Sequence, residues 1–70
     1  MGPQALSIGM NGSEVERLQK DLSVKGYQVG VDGNFDESTE NAVKAFQKDN
    51  GLTVDGVVGA ETGQKLGAPA

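Results

Sequence analysis

The chain has 70 residues, enough for one small domain, and its 6 Lys and Arg against 10 Asp and Glu give a formal net charge of −4. We therefore expect no broad electrostatic attraction to nucleic acid or to an anionic membrane surface. Cysteine and histidine are both absent, which excludes disulfides, thiol nucleophiles, and imidazole-based catalysis or metal binding.

The first predicted helix begins near Ser13. The segment Ser13-Glu14-Val15-Glu16 fits a capping box, in which a Ser hydroxyl and a Glu carboxylate satisfy backbone donors reciprocally. Gly26 is suited to the left-handed conformation that follows a helix, so the helix should end at Lys25-Gly26. Tyr27 comes next and is expected to fold back on the helix that it leaves. One apolar stripe at helical spacing should be buried: Val15, Leu18 and Leu22.

The second predicted helix follows an extended segment. Residues 27–31 alternate apolar and other side chains and predict an extended stretch, which could pair as a strand, before the Asp32-Gly33 turn. Asp36 is a good N-cap, and Asn50-Gly51 should end the helix. The buried face of this helix is predicted to consist of Ala42, Val43 and Phe46.

The third predicted helix is short, from about Ala60 to Leu66, with Gly59 at its cap. Gly63 lies in its interior, where glycine costs about 0.5 to 1 kcal/mol relative to alanine. We expect this helix to fray first.

One spacing pattern occurs twice in the chain. The first copy is Asp32-Gly33-Asn34-Phe35-Asp36 followed by Thr39, and the second is Asp55-Gly56-Val57-Val58-Gly59 followed by Thr62. Asp-Gly favours a tight turn, so each copy predicts a turn that leads into a helix. The predicted fold is all-α, a small closed three-helix bundle with ordered Asp-Gly turn loops and a short third helix.

More than a dozen positions fall into one extended pattern: Gly12-x-x-Val15-x-x-Leu18-Gln19-x-x-Leu22, Gly26-Tyr27, Asp32-Gly33-x-Phe35-x-x-x-Thr39-x-x-Ala42-Val43-x-x-Phe46-Gln47, Gly51-Leu52 and Asp55-Gly56-Val57-Val58-Gly59-x-x-Thr62, closing on Leu66. Over residues 8–66 this pattern resembles the bacterial peptidoglycan-binding domain of the three-helix type. The resemblance is specific because so many positions match in register.

The resemblance implies a non-catalytic module that binds cell-wall peptidoglycan and targets an attached hydrolase, such as an amidase, a muramidase or a phage endolysin. It implies no cofactor, a monomer, and a site of action at the bacterial cell wall, in the extracellular space or the periplasm. We expect residues 1–5 to be an N-terminal tail, 6–66 the domain and 67–70 the start of a linker to a C-terminal catalytic domain. Met1-Gly2-Pro3-Gln4 lacks the basic and apolar regions of a signal peptide, a layout similar to that of a modular endolysin.

Two positions depart from the family pattern. Asp36 stands where the family usually has Gly, and we expect it to be tolerated or stabilising because Asp can accept a bond from the first helical turn. Gly63 stands where the family commonly has Trp, which removes a large stacking surface from the third helix.

The predicted binding surface is a shallow groove beside the first Asp-Gly turn, with Tyr27, Asp32, Asn34 and Gln47 as ligand-binding residues. Each except Asn34 has a structural alternative. Asp32 can bond its own turn, Gln47, like Gln19, can bond the backbone of a neighbouring loop, and the ring of Tyr27 can pack. Phe35 and Phe46 are interpreted as core residues.

Other functions are disfavoured by the residues present. The segment from Asp32 to Asp36 resembles the opening of a calcium loop, but Glu37 and Val43 stand where such a loop needs Gly and a bidentate Glu, so no metal is predicted. Only carboxylates are available for acid–base chemistry, and their turn and cap positions keep them ionised, so the domain is not expected to be an enzyme. The remaining alternative is a protein-interaction domain of the same fold that packs on a neighbouring domain and has no affinity for glycan.

Overall fold

The computed structural model describes residues 5–67 and has three helices there: α1 (Ser13–Val24), α2 (Glu37–Asp49) and α3 (Ala60–Leu66). Within that range the chain forms no strand, which confirms the all-α fold class. None of these helices is long and apolar enough to cross a membrane. Residues 1–4 of the predicted tail and 68–70 of the predicted linker lie outside the described range.

Helices α1 and α2 begin in different ways. The predicted capping box at Ser13 is wrong: Ser13 is the first helical residue, and Gly12 is the N-cap with no side-chain cap bond. Gly12 has a φ of 128°, which glycine adopts readily, and its N–H donates to the carbonyl of Gly33 at 2.9 Å. The predicted cap of α2 is confirmed, because the Asp36 carboxylate accepts from the backbone N–H of Thr39 at 3.1 Å.

Both long helices end at glycines with positive φ, as predicted. Gly26 follows α1 with a φ of 99°, and Gly51 follows α2 with a φ of 68°. The N–H of Tyr27 donates back to the carbonyl of Leu22 at 3.0 Å, and its ring packs edge to face on Phe46 of α2. Residues 27–31 form no strand and lead to the first turn as an irregular connection.

The core lies between the three helices and the two turns. Phe35 is 2 % exposed and Phe46 is 3 % exposed, which confirms both as core residues. The predicted apolar stripes of α1 and α2 are buried with them. The full set of buried apolar side chains in the described range is Leu6, Val15, Leu18, Leu22, Phe35, Ala42, Val43, Phe46, Val58 and Leu66.

The segment that precedes α1 joins the two turns. Leu6 and Val58 exchange both backbone hydrogen bonds, at 3.1 and 2.8 Å. A few residues later the N–H of Gly9 donates to the carbonyl of Phe35, and the N–H of Phe35 donates to the carbonyl of Met10. The segment that precedes α1 therefore bonds to the residues that end both turns, Phe35 and Val58.

Candidate functional site

The first turn is held by one buried side chain of α1. Gln19 is 1 % exposed, and its carbonyl oxygen accepts from the backbone N–H groups of Asp32 and Gly33 at 2.9 and 2.8 Å. Its amide nitrogen lies 3.0 Å from Asp32 Oδ1, 2.8 Å from the Asn34 carbonyl and 2.9 Å from the Thr39 hydroxyl. We call this arrangement the first clamp.

The second turn is held in the same way by α2. Gln47, also 1 % exposed, accepts from the N–H groups of Asp55 and Gly56 at 3.1 and 3.0 Å. Its amide nitrogen lies 2.9 Å from Asp55 Oδ1, 2.9 Å from the Val57 carbonyl and 3.1 Å from the Thr62 hydroxyl. This second clamp repeats every contact of the first, so the repeated spacing in the sequence corresponds to a repeated structure.

The clamps decide what the candidate residues can offer to a ligand. Gln47 lies beneath the second turn, and both its amide oxygen and its amide nitrogen form hydrogen bonds inside the protein. This is the structural role that the sequence offered as the alternative to ligand binding. Within residues 5–67 no buried side-chain nitrogen or oxygen lacks a hydrogen-bond partner. The polar interior of the described range is therefore self-satisfied, and the two Gln amides have no free hydrogen-bonding group to offer a ligand.

Asp32 and Asn34 lie together on the outer face of the first turn, and both are exposed. Asp32 Oδ1 accepts from the N–H of Asn34 at 2.9 Å as well as from Gln19. These two donors, the Asn34 N–H first and the Gln19 amide second, lower the pKa of Asp32. Asp32 is thus an ionised carboxylate at neutral pH, and the Asn34 side chain makes no hydrogen bond to the described residues.

Tyr27 lies at the other end of α2. Its ring meets Phe46 edge to face at a centroid distance of 5.8 Å, and its hydroxyl donates to Asp49 Oδ2 at 2.6 Å. That hydrogen bond, with lesser contributions from desolvation and the Asp49 charge, raises the pKa of Tyr27. Phe46 is seven residues after Thr39, which the first clamp holds, so the α2 residues that contact Tyr27 and the first turn lie about 10 Å apart on the buried face of the helix.

The two departures from the family pattern have different outcomes. Asp36 supplies the cap of α2, so this departure stabilises the helix. Gly63 is half-buried in α3, and a Cβ added there would meet no atom of the rest of the described chain within 4 Å. The space beside Gly63 is open to solvent or to a neighbouring domain, and the helix presents no aromatic surface at that point.

Four residues whose side chains form the clamps are not among the predicted site residues: Gln19, Thr39, Asp55 and Thr62. From the sequence, Gln19 can donate either to a glycan or to the backbone of a neighbouring loop, and the Thr positions are part of the spacing pattern without a predicted role. The recurrence of Gln, Asp-Gly and Thr in both copies was the signal that could have identified the clamps. For the described part of the chain, no group of three or more carboxylates converges closely enough to hold a metal ion.

The chain was compared with known proteins. It is 42 % identical to the N-acetylmuramoyl-L-alanine amidase CwlL of Bacillus licheniformis over 66 residues, which are 90 % of this chain and 18 % of the amidase. The chain therefore spans less than a fifth of that relative.

Solved structures agree with the sequence match. A peptidoglycan-binding protein from Clostridioides difficile, crystallised with glutamine hydroxamate, superposes with a TM-score of 0.90 at 44 % identity, covering 91 % of this chain and 40 % of that one. The Burkholderia AP3 phage endolysin superposes with a TM-score of 0.90 at 35 % identity, covering 94 % of this chain and 25 % of the endolysin.

The family model described as "Putative peptidoglycan binding domain" matches residues 11–66, which include both clamps. Three helices, two Asp-Gly turns and the register of the motif all fall within the match. The chain belongs to the peptidoglycan-binding domain family.

Proposed function

We propose that the domain binds peptidoglycan without cleaving it and holds an attached hydrolase on the cell wall. The observation that carries this proposal is the match over 90 % of the chain to a small part of a wall amidase. Tethering would raise the effective concentration of the catalytic domain at its substrate. The attached enzyme would be an amidase or an endolysin, acting at the wall in the extracellular space or the periplasm, with the catalytic domain C-terminal to this one.

The chemistry of the site supports binding rather than catalysis. General acid catalysis needs a group that is protonated near neutral pH. The pKa values of Asp32 and Asp55 are instead lowered, in each case by the N–H two residues later and by the clamp amide. The chain has no histidine and no cysteine, which removes imidazole bases and thiol nucleophiles.

The binding surface that we propose is the outer face of the first turn together with the exposed edge of Tyr27. Asp32 and Asn34 would make direct contacts, and Tyr27 would offer its ring edge. Gln47 would contribute through the second turn, which its amide holds. The domain would act as a monomer, because one copy contains both turns.

The test is a pulldown of the isolated domain with purified insoluble peptidoglycan at moderate salt. We expect retention that survives salt, because a protein with a net charge of −4 does not depend on attraction to an anionic polymer. An acidic protein of similar size without wall affinity is the control. Retention no better than that control would contradict wall binding.

Binding of the domain in trans by the catalytic domain of its parent protein, with no retention on the wall, would instead favour the interaction-domain alternative. Release of soluble muropeptides by the isolated domain would contradict the non-catalytic part of the proposal. Size-exclusion chromatography at the protein concentrations used in the pulldown tests whether the domain is a monomer.

A further inference from the structure

We propose that Leu6 is a latch on the last part of the fold. Its pairing with Val58 keeps the second turn and α3 closed, and its release lets residues 55–66 open as a unit while the first turn and the two long helices stay folded. The device goes beyond wall binding and does not depend on it. Three features support the latch: the hydrogen bonds of residues 55–66, the burial of Leu6 and the weakness of α3.

Few hydrogen bonds connect residues 55–66 to the rest of the described chain. Gln47 makes one set of them, through the second clamp. The other set is the pair of backbone bonds between Leu6 and Val58, at 3.1 and 2.8 Å. Among the described residues before α2, Leu6 is therefore the only one that bonds to this part of the molecule. When Leu6 separates from Val58, the second clamp is the one hydrogen-bonded connection that remains there.

The first turn is joined to the leading segment at other residues. Three backbone bonds, of 2.9 to 3.0 Å, connect residues 9–12 to residues 33–35, and Leu6 takes part in none of them. The first clamp, made by Gln19 of α1, holds the same turn from the other side. Release of Leu6 thus leaves every hydrogen bond of the first turn in place.

The side chain of Leu6 adds to the closed state. It is 9 % exposed and belongs to the same buried apolar cluster as Val58 and Leu66. Ile8, two residues later in the same segment, is 51 % exposed. Because burial of a leucine side chain is favourable, opening the latch costs the free energy of returning that side chain to water. The strength of the latch therefore depends on Leu6 and not on the whole leading segment.

α3 is too weak to stay closed by itself. It has seven residues, no side-chain cap bond and a glycine, Gly63, in its interior. Isolated helices shorter than about 12 residues are marginal in water, and most of their stability in proteins comes from tertiary packing. An interior glycine lowers the helix propensity further. This end of the fold is the part that opens locally when its external contacts are lost.

The experiment is amide hydrogen exchange of the full chain, followed by NMR, in the parent domain and in Leu6→Ala. The two clamps supply matched reporters, because the N–H of Gly33 donates to Gln19 at 2.8 Å and the N–H of Gly56 donates to Gln47 at 3.0 Å. We expect exchange at Gly56 and in α3 to become about tenfold faster or more, since shortening a buried leucine destabilises the closed state. Exchange at Gly33 should change less than about threefold, because the first turn stays closed.

Ile8→Ala is the matched control, since it shortens an exposed side chain of the same segment and should leave both reporters unchanged. Leu6→Met keeps the volume of the side chain and should restore the exchange of the parent domain. Equal acceleration at Gly33 and Gly56 in Leu6→Ala, or a chain that is unfolded throughout, would overturn the latch, because the domain would then open only as a whole. Unchanged exchange at Gly56 would overturn it as well.

Discussion

The two turn–helix units of this domain have the same interior and different exteriors. In each, a buried Gln holds an Asp-Gly turn and the Thr of the next helix, although Gln19 is 13 residues from its Asp and Gln47 only 8. The first unit adds a capped helix of 13 residues, whereas the helix of the second unit has 7 residues and no side-chain cap. The clamp thus forms whether the segment between the Gln and its Asp is long or short. The exposed positions of the two units are free to differ.

The outward side chains of the two turns are the positions at which the units can differ in function. The clamp is made mostly with backbone groups, which every residue supplies, so the outward side chain of the turn can change without loss of the turn. The first turn presents Asn34 and the second presents Val57. A ligand that needs hydrogen bonds can therefore distinguish two turns of the same shape.

The largest expected effect is loss of a clamp. Gln19→Leu leaves the turn N–H of Gly33 buried without an acceptor, and we expect a loss of about 3 kcal/mol in the free energy of unfolding, close to the whole stability of so small a domain. Gln47→Leu should cost about 2 kcal/mol, because α3 is at the end of the domain and can open locally. Urea denaturation followed by circular dichroism measures both.

The exposed Gln28 provides the control for the clamp variants, since Gln28→Leu should change stability by less than about 0.5 kcal/mol. A cost below about 1 kcal/mol for Gln19→Leu would mean that the first clamp does not hold the turn.

The next effect separates the two turn glycines. Both have positive φ, 80° at Gly33 and 73° at Gly56, so alanine is strained at either position. A Cβ at Gly56 would also lie 2.9 Å from Glu40 Cγ, whereas one at Gly33 would meet its nearest atom, the carbonyl oxygen of Gly12, at 3.4 Å. We expect Gly56→Ala to cost about 2 kcal/mol and Gly33→Ala about 1 kcal/mol, measured by thermal unfolding.

Gly30→Ala is the matched control for these variants, because Gly30 has no positive φ and a Cβ there meets nothing within 4 Å. A larger cost at Gly33 than at Gly56 would contradict the packing of the second turn beneath the side chain of Glu40.

A smaller effect concerns the helix caps. Asp36→Ala removes the bond to the N–H of Thr39 and should cost about 1 kcal/mol. Gly59 holds the equivalent place before α3, with an extended backbone and open space at its Cβ, so Gly59→Asp should gain about 0.5 to 1 kcal/mol. Urea midpoints of the two variants should move in opposite directions; a destabilised Gly59→Asp would show that the units are not equivalent at their caps.

The smallest effect is the pH dependence of the turns. The folded-state pKa values of Asp32 and Asp55 are lowered, so each ionised carboxylate contributes stability above its unfolded pKa, and that contribution is lost as the pH falls below about 4. The double variant Asp32→Asn, Asp55→Asn should show a flatter acid limb in stability against pH. If the double variant loses stability at low pH as the parent domain does, other carboxylates cause that loss.

Much of the local structure could be predicted from the sequence. The ends of α1 and α2 and the cap at Asp36 follow from short-range chemistry, in which a few neighbouring residues decide the conformation. Ser13 shows the limit of that reasoning: it has the residues of a capping box, but Gly12 is drawn into pairing with Gly33 and becomes the cap residue instead.

The candidate site was less predictable, because its polar residues act across long sequence distances. Gln47 is predicted as a ligand-binding residue with a bond to a neighbouring loop as its alternative, and it lies buried in a clamp. The hydroxyl of Tyr27 is bonded to Asp49, 22 residues away. No local pattern specifies which loop a helix amide will meet.

Three helices and two equivalent turns could be predicted from the sequence because periodicity and turn chemistry are local properties, and the family follows from the many positions that match its pattern in register. The tertiary structure alone decided that the two glutamines are interior clamps, that the segment before α1 joins the turns, and that Asn34 remains on the outer face. The physical reason is that a buried amide must satisfy all its hydrogen bonds, and its partners are found only when distant parts of the chain are brought together.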